Sequence, residues 1–235
     1  MRPIVNIVAV IGVLGVSGCD MLPDSVSALI TRPQTAATGA FKNGTFKGQL
    51  KVEFLEPKGP EDRNVRLIEP FGYKDSRGVD WDVPSGFVSD GASIPWSLWS
   101  FIGGPFDGPH RDAAIIHDYF CTNKTRKWED VHTMFLEAAL RRGVPESTAQ
   151  TMYAGILYGG PRWDAPSVLN RAQMVPTPGA RPPPTDPGIT KRSPTVTERQ
   201  QFEELKRWIE ATNPTPDQIK RKVEEMRASE GKAHK

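Results

Sequence analysis

Two cysteines occur in this chain of 235 residues, and the first of them limits how the fold can be held together. Cys19 ends the run Val16-Ser17-Gly18-Cys19, which follows an apolar stretch and a basic residue, Arg2. Small residues before such a cysteine are typical of a bacterial lipoprotein signal, in which the cysteine is lipidated. If Cys19 carries lipid, Cys121 is the one cysteine left for the folded part, so no internal disulfide is expected. The fold must then be stabilised by packing.

The N-terminal segment also predicts where the protein is located. Its apolar stretch, Ile4 to Val16, is roughly 13 residues long, whereas a helix needs ~20 apolar residues to cross a bilayer. Residues 1–18 are therefore predicted to be a cleaved lipoprotein signal peptide, and residues 19–40 a tether. We expect lipid at Cys19 to anchor the protein to a membrane of the cell envelope. Asp20 resembles an inner-membrane retention signal, which favours the periplasmic face of the inner membrane.

Residues 41–174 are predicted to form a globular α+β domain. The segment from Leu50 to Phe54 alternates apolar and charged residues, as a half-buried strand does. A β-hairpin is predicted over 71–83, around a turn-rich tetrad that runs from Asp75 to Gly78. Helical periodicity then follows over three segments, 111–121, 128–142 and 147–158. We expect a small antiparallel β-sheet followed by a cluster of three or four helices.

The composition changes beyond residue 174. Seven prolines lie between Pro176 and Pro194, so residues 175–196 are predicted to be an extended linker. Residues 197–235 are predicted to form a charged helical hairpin, with a capping box from Thr197 to Gln200. Its apolar stripe consists of Phe202, Leu205, Ile209, Ile219, Val223 and Met226. Such a hairpin is either solvated or binds a protein partner, and the sequence leaves both possibilities open.

The charge balance argues against one class of partner. The formal net charge is +2 and charged residues make up 25% of the chain. This is not the basic excess that is typical of proteins that bind nucleic acid. We therefore expect a membrane, through Cys19, and a protein as partners, and no nucleic acid.

Several ordered motifs in the middle of the chain resemble a known family. They are Trp81 to Phe87 (WDVPSGF), Ser89 to Pro95 (SDGASIP), Ala113 to Tyr119 (AAIIHDY), Val131 to Phe135 (VHTMF) and Gly160 to Trp163 (GPRW). Together they are similar to the bacterial and phage family catalogued as domain of unknown function 1353, over roughly residues 45–163. The family often has a tyrosine at the position of Cys121. The resemblance implies the extent of the domain and no biochemical activity.

Two of the four histidines lie on apolar helix faces. If their helices pack antiparallel, His117 and His132 can approach each other, with Asp118 adjacent and Asp90 at an upstream turn. Two imidazoles and one or two carboxylates suit zinc or a similar divalent ion with an open position. The predicted metal ligands are His117, His132 and Asp90. The predicted catalytic carboxylates are Asp118 and Asp90, although the spacing matches no established zinc motif.

The same residues allow other interpretations. Both histidines could be core residues bonded to a carboxylate or a backbone carbonyl, or they could do acid–base work without a metal. The pair His117-Asp118 also resembles the His-Asp pair of secreted phospholipases A2. Those enzymes have a glycine-rich calcium loop, to which the run Gly103 to Gly108 is comparable, but they also have several disulfides. Cys121 could be a small buried side chain or a reactive thiol.

The segment after Asp90 is predicted to turn helical, with a short helix over 96–101. Asp90 could accept amide hydrogen bonds at its start, with Ser93 as the capping residue. Trp96 and Trp99 could line a cleft for a sugar or a peptide.

These observations predict a lipid-anchored envelope protein whose domain is a metal-assisted hydrolase. Peptidoglycan or another envelope substrate suits the predicted compartment. The alternative is a non-catalytic module of phage or prophage type that binds an envelope component or another protein.

Overall fold

A computed structural model describes residues 41, 44–57, 64–90, 106–164 and 195–233, with side chains up to residue 229. All of these residues belong to one unit, residues 34–235. The predicted signal peptide and tether, the predicted short helix over 96–101 and nearly all of the predicted linker lie outside the described residues. Cys19 lies there too.

Two small antiparallel sheets precede the helices in the described part of the chain. The first sheet has the order β1-β4-β5 and the second has the order β2-β3-β6. The strands are β1 (Thr45–Lys47), β2 (Val52–Phe54), β3 (Val65–Leu67), β4 (Phe71–Lys74), β5 (Asp80–Val83) and β6 (Val88–Ser89). Because β2 is an edge strand, Phe54 is 73% exposed, although its alternating sequence suggests a half-buried strand.

The hairpin predicted over 71–83 is present as β4 and β5. Tyr73 pairs with Trp81 in its antiparallel register. The turn closes on Asp75, whose carboxylate accepts a hydrogen bond from the Val79 amide at 2.8 Å. Gly78 adopts a φ of +82°, a conformation that a residue with a Cβ rarely adopts, so the turn depends on a glycine there.

Three helices follow the sheets and match the predicted segments closely. They are α1 (Arg111–Asn123), α2 (Trp128–Arg141) and α3 (Glu146–Gly159). α1 packs on β5 and β6 as well as on α2, and α2 packs on α3. The ring of Trp81 in β5 meets that of Phe120 in α1 edge-on, with 5.0 Å between centroids. The core therefore lies between the sheets and α1, and continues through α2 to α3.

The C-terminal helices pack on the same core. They are α4 (Val196–Thr212) and α5 (Pro216–Ala233), and both contact α3. Five of the six stripe residues are buried and join the main hydrophobic cluster: Phe202, Leu205, Ile209, Ile219 and Val223. Met226 is partly buried against the same cluster. Gln150 of α3 also donates to the Pro214 carbonyl at 2.9 Å. The stripe is thus covered by the chain's own α3, so a protein partner of these helices would have to use their outward faces.

The capping box of α4 lies two residues earlier than the sequence suggested. Thr195 is the N-cap, and its side chain accepts from the Glu198 amide while the Glu198 carboxylate accepts from the Thr195 amide. The prediction of Thr197 to Gln200 was wrong because Thr197 is already inside the helix. A similar exchange between Thr215 and Gln218 begins α5.

The predicted fold class is confirmed, since an α+β arrangement with its strands first and its helices after them is what the structure has. Among the described residues, no helix combines the length and apolar character that a membrane span requires.

Candidate functional site

The packing of α1 on α2 brings the two predicted histidines together. Nε2 of His117 lies 2.9 Å from Nδ1 of His132, which is the distance of a hydrogen bond. Both side chains are 0% exposed. The contact forms because each histidine lies on the apolar face by which its helix packs. We call His117 and His132 the histidine pair.

Burial keeps the histidine pair neutral. Removal from water lowers the pKa of His117 to about 3. Burial also lowers the pKa of His132 well below its usual range, and repulsion from Arg162, and from His117 when that ring is protonated, acts in the same direction. The Pro161 carbonyl partly opposes these effects on the pKa of His132. Neutral imidazole is the form that binds metal ions.

Cys121 completes the cluster, one helical turn after His117. Its Sγ atom lies 3.6 Å from Nδ1 and 3.7 Å from Nε2 of His117. One donor atom from each of Cys121, His117 and His132 lies within 4.8 Å of the others. Among the described residues this is the one group of histidine, cysteine and carboxylate side chains placed to share a metal ion. We call these three residues the HHC cluster.

Sequence reasoning missed Cys121 as a member of the site, although a signal was present. Residues four apart lie on the same face of a helix, so the spacing from His117 to Cys121 placed both side chains together. Its burial, at 6% exposed, agrees with the reading of a small buried side chain. Cys121 forms no disulfide within the described residues.

The two predicted carboxylates do not join the cluster. Asp118 is one residue after His117, so its side chain points about 100° away around the helix. There it accepts a hydrogen bond from the Ser89 hydroxyl of β6. Asp90 follows Ser89 and is likewise absent from the group of possible ligands. Asp118 thus lies on the sheet side of α1, whereas the histidine pair lies on the α2 side.

Aromatic rings surround the cluster. Trp128 lies one turn before His132, with 5.3 Å between ring centroids, and Trp163 meets the same ring edge-on at 6.3 Å. Phe135 contacts the ring of His117 at 5.4 Å. The guanidinium of Arg162 lies over Trp128 at 4.6 Å and pairs with Glu224 at 2.8 Å. The described surroundings are therefore mainly apolar, with two cations, Arg162 and Lys220, near Trp128.

A second buried polar group, which sequence reasoning also missed, ties the hairpin to α2. Glu137 is 2% exposed and accepts hydrogen bonds from the Tyr73 hydroxyl at 2.9 Å and from the amide and hydroxyl of Ser76 at 2.6 Å and 3.0 Å. Burial raises the pKa of Glu137, and the hydrogen bonds partly offset that effect. The sequence contains a signal for the burial of Glu137, because Met134 and Leu140, three residues before and after it, lie on the same face of α2.

Asp75 next to this group is buried in a similar way. Burial opposes its ionisation, but hydrogen bonds from Val79, Trp81 and Arg77 outweigh that effect and lower its pKa. The carboxylates of Glu137 and Asp75 both accept several hydrogen bonds. We interpret both residues as structural.

Other predicted site residues lie outside the described residues. They are Ser93, Trp96, Trp99 and most of the glycine-rich run from Gly103 to Gly108. The comparison with phospholipase A2 gains no support from Asp118, whose bond to Ser89 is a structural contact between α1 and β6.

The three cluster residues lie inside a segment that is similar to a known family. Residues 65–156 match the family described as "Protein of unknown function (DUF1353)". The resemblance predicted over roughly 45–163 is thus confirmed for this inner part, which contains all three cluster residues. The family description carries no activity.

Two curated relatives are also uncharacterised. The chain is 41% identical over 160 residues to "Uncharacterized protein y4jT" of Sinorhizobium fredii, an alignment that covers 67% of this chain and 46% of the relative. It is 35% identical over 144 residues to "Uncharacterized protein y4iH" of the same organism, covering 61% of this chain and 60% of the relative. The chain thus spans about half the length of these relatives. No solved structure matches it significantly.

Proposed function

We propose that this protein is a lipid-anchored envelope protein whose domain binds a divalent transition-metal ion between His117 and His132. The observation that carries the proposal is the contact of two buried imidazole nitrogens, 2.9 Å apart, from different helices. Imidazole is the side chain most often used as a metal ligand. Envelope anchoring rests on the sequence around Cys19 alone.

The chemistry of the pair selects the class of ion. Calcium and magnesium prefer oxygen ligands, and neither Asp90 nor Asp118 belongs to the ligand group. Nitrogen donors suit zinc, copper, nickel and related ions. Because burial keeps both rings neutral, protons compete with the ion weakly near neutral pH.

We extend the proposal from metal binding to hydrolysis, because the predicted envelope location offers polymers that a metal-bound hydroxide can cleave. An ion with an open position binds a water and lowers its pKa to near neutrality, so that the resulting hydroxide can attack an acyl or glycosyl carbon. Peptidoglycan or another envelope polymer is the substrate class we infer. Both histidine rings are 0% exposed, however, and catalytic sites need access for substrate. Metal binding is therefore the primary proposal.

The experiment compares metal binding by the full chain in detergent with that of two variants. After chelator treatment, the wild-type protein is titrated with zinc against a chromophoric chelator. We expect one ion per chain, and a loss of affinity of about 100-fold or more in His117→Gln and His132→Gln.

His110→Gln is the matched control. His110 is 2% exposed and directly precedes α1, but it is not among the possible ligands. Zinc affinity equal to that of the wild type is expected for this variant. A wild-type protein that binds no zinc, copper or nickel would reject the proposal and favour the non-catalytic module, with the histidine pair as a structural contact. Metal binding without turnover of peptidoglycan would reject the hydrolytic extension alone.

A further inference from the structure

The position of Cys121 allows the proposed metal site to be specified further. Its Sγ atom is the third donor of the HHC cluster and comes from the same helix as His117. We propose that Cys121 binds the ion as a thiolate, which makes the cluster a His2Cys site for a thiophilic ion such as zinc. This inference rests on the proposed function, because it assumes an ion at the histidine pair.

Two of the three donor distances are close to those of such a site, and the third, between Sγ of Cys121 and the His132 donor, is within 4.8 Å. Zinc binds imidazole nitrogen at about 2.0–2.1 Å and thiolate sulfur at about 2.3 Å. In a tetrahedron these lengths separate two nitrogens by roughly 3.3 Å and a nitrogen from a sulfur by roughly 3.6 Å. The distance from Sγ to Nε2 of His117 is 3.7 Å. The histidine pair, at 2.9 Å, has to open by about 0.4 Å to admit an ion.

The proton balance of binding follows from the ligands. The S–H bond of Cys121 breaks, a sulfur–metal bond forms, and the thiol proton passes to the buffer. The proton shared by the facing nitrogens of the histidine pair moves to another nitrogen of the same rings, so the pair releases none. Binding of one ion by the three side chains therefore releases one proton.

The charge balance favours a thiolate over two neutral ligands alone. A divalent ion bound by imidazoles only would carry its full charge among apolar rings, which is costly. The thiolate removes one unit of that charge. The guanidinium of Arg162, which lies over Trp128 beside the cluster, is paired with Glu224 at 2.8 Å.

Cobalt(II) substitution tests the sulfur ligand in the full chain. Cobalt bound by a thiolate gives a sulfur-to-metal charge-transfer absorption in the near ultraviolet, which nitrogen ligands do not give. We expect this absorption and the release of one proton in the wild type. In Cys121→Ser we expect both to be lost and the affinity to fall by about 100-fold or more.

Met134→Leu is the matched control, because Met134 is a buried sulfur residue on α2 that is not in the cluster. It should keep the absorption and the proton release. Since Cys121→Ser could fail to fold, a second measurement uses the wild type alone. Bound zinc should slow alkylation of the peptide that contains Cys121, as measured by mass spectrometry, because a metal-bound thiolate is less available as a nucleophile.

The outcomes separate this inference from the proposed function. Cobalt binding that needs His117 and His132 but shows no charge-transfer absorption and no protection of Cys121 overturns the thiolate ligand and leaves the histidine site standing. Absence of binding in the wild type overturns both. Equal spectra for Cys121→Ser and the wild type also reject the thiolate.

Discussion

At the scale of single residues, burial decides the protonation state of the histidine pair. His117 and His132 are wholly shielded, and their pKa values are lowered below that of a histidine in water. The sequence predicted that these two residues meet, because both lie on apolar helix faces. It did not predict that Cys121, rather than Asp90 or Asp118, lies beside them, because this depends on side-chain direction across a helix interface.

The lowered pKa values predict that the metal-free protein loses stability as the pH falls from 6.5. The unfolded state binds protons at His117 and His132 near pH 6.5, whereas the folded state does not. Protonation therefore lowers the free energy of the unfolded state relative to the folded state. The contribution of the two neutral histidines to the free energy of unfolding is complete above pH 6.5 and is lost as the pH falls toward 3. Each neutral histidine contributes a slope of about 1.4 kcal/mol per pH unit.

Urea unfolding at a series of pH values from 6 to 5, with chelator present, measures this slope. The comparison of wild type with His117→Gln should show a shallower dependence in the variant, since one titrating group is removed. Equal slopes would mean that His117 is protonated in the folded state.

At the scale of elements, the helices and the β4–β5 hairpin were predictable from local patterns, whereas the pairing of strands distant in the chain was not. The apolar residues of α2 and α3 repeat at helical spacing, which is a local signal. The pairing of β1 with β4 and of β3 with β6 joins residues that are distant in the chain, and no local pattern specifies it. The buried Glu137 was missed for a related reason, because its partner Tyr73 is 64 residues away.

Glu137 is expected to hold the β4–β5 hairpin on α2. Glu137→Ala leaves the buried Tyr73 hydroxyl and the part-buried Ser76 amide without their acceptor, so the free energy of unfolding should fall by about 3 kcal/mol. Glu137→Gln keeps one acceptor oxygen and should lose less. Denaturant unfolding of both variants measures the difference, and equal losses would show that the carboxylate oxygens are not what matters.

The packing of α4 on α3 predicts that truncation of a buried apolar residue of α4 destabilises the protein far more than truncation of an exposed one. Ile209 is 0% exposed, so Ile209→Ala should lower the free energy of unfolding by about 3 kcal/mol. Val196 is 70% exposed, so Val196→Ala should change it by less than about 0.5 kcal/mol. Thermal or urea unfolding checks both. A negligible effect of Ile209→Ala would mean that α4 does not pack on α3 in solution.

At the scale of the whole molecule, the C-terminal helices are part of the same folded unit as the segment that matches the family model, residues 65–156. Composition suggested a separate charged tail beyond the prolines, because Lys, Arg and Glu dominate its surface. The five buried stripe residues show that amphipathic spacing was the more informative signal. The proposed location in the cell envelope depends on the sequence around Cys19, which lies outside the described residues.

The lipoprotein prediction has a direct test in bacterial cells. The full chain should incorporate radiolabelled palmitate and sediment with membranes. Cys19→Ala should abolish the labelling, because the acylated side chain is removed. Labelling that persists in Cys19→Ala, or a wild type that is never labelled, would contradict the predicted anchor.

X-ray absorption at the zinc edge of the zinc-loaded full chain tests whether His117 and His132 bind a metal ion. The account predicts two imidazole nitrogens at about 2.0–2.1 Å and one sulfur at about 2.3 Å, with one imidazole lost in His117→Gln. A bound ion surrounded by oxygen ligands without imidazole, or a protein that holds no zinc, would contradict the claim that His117 and His132 form a metal site.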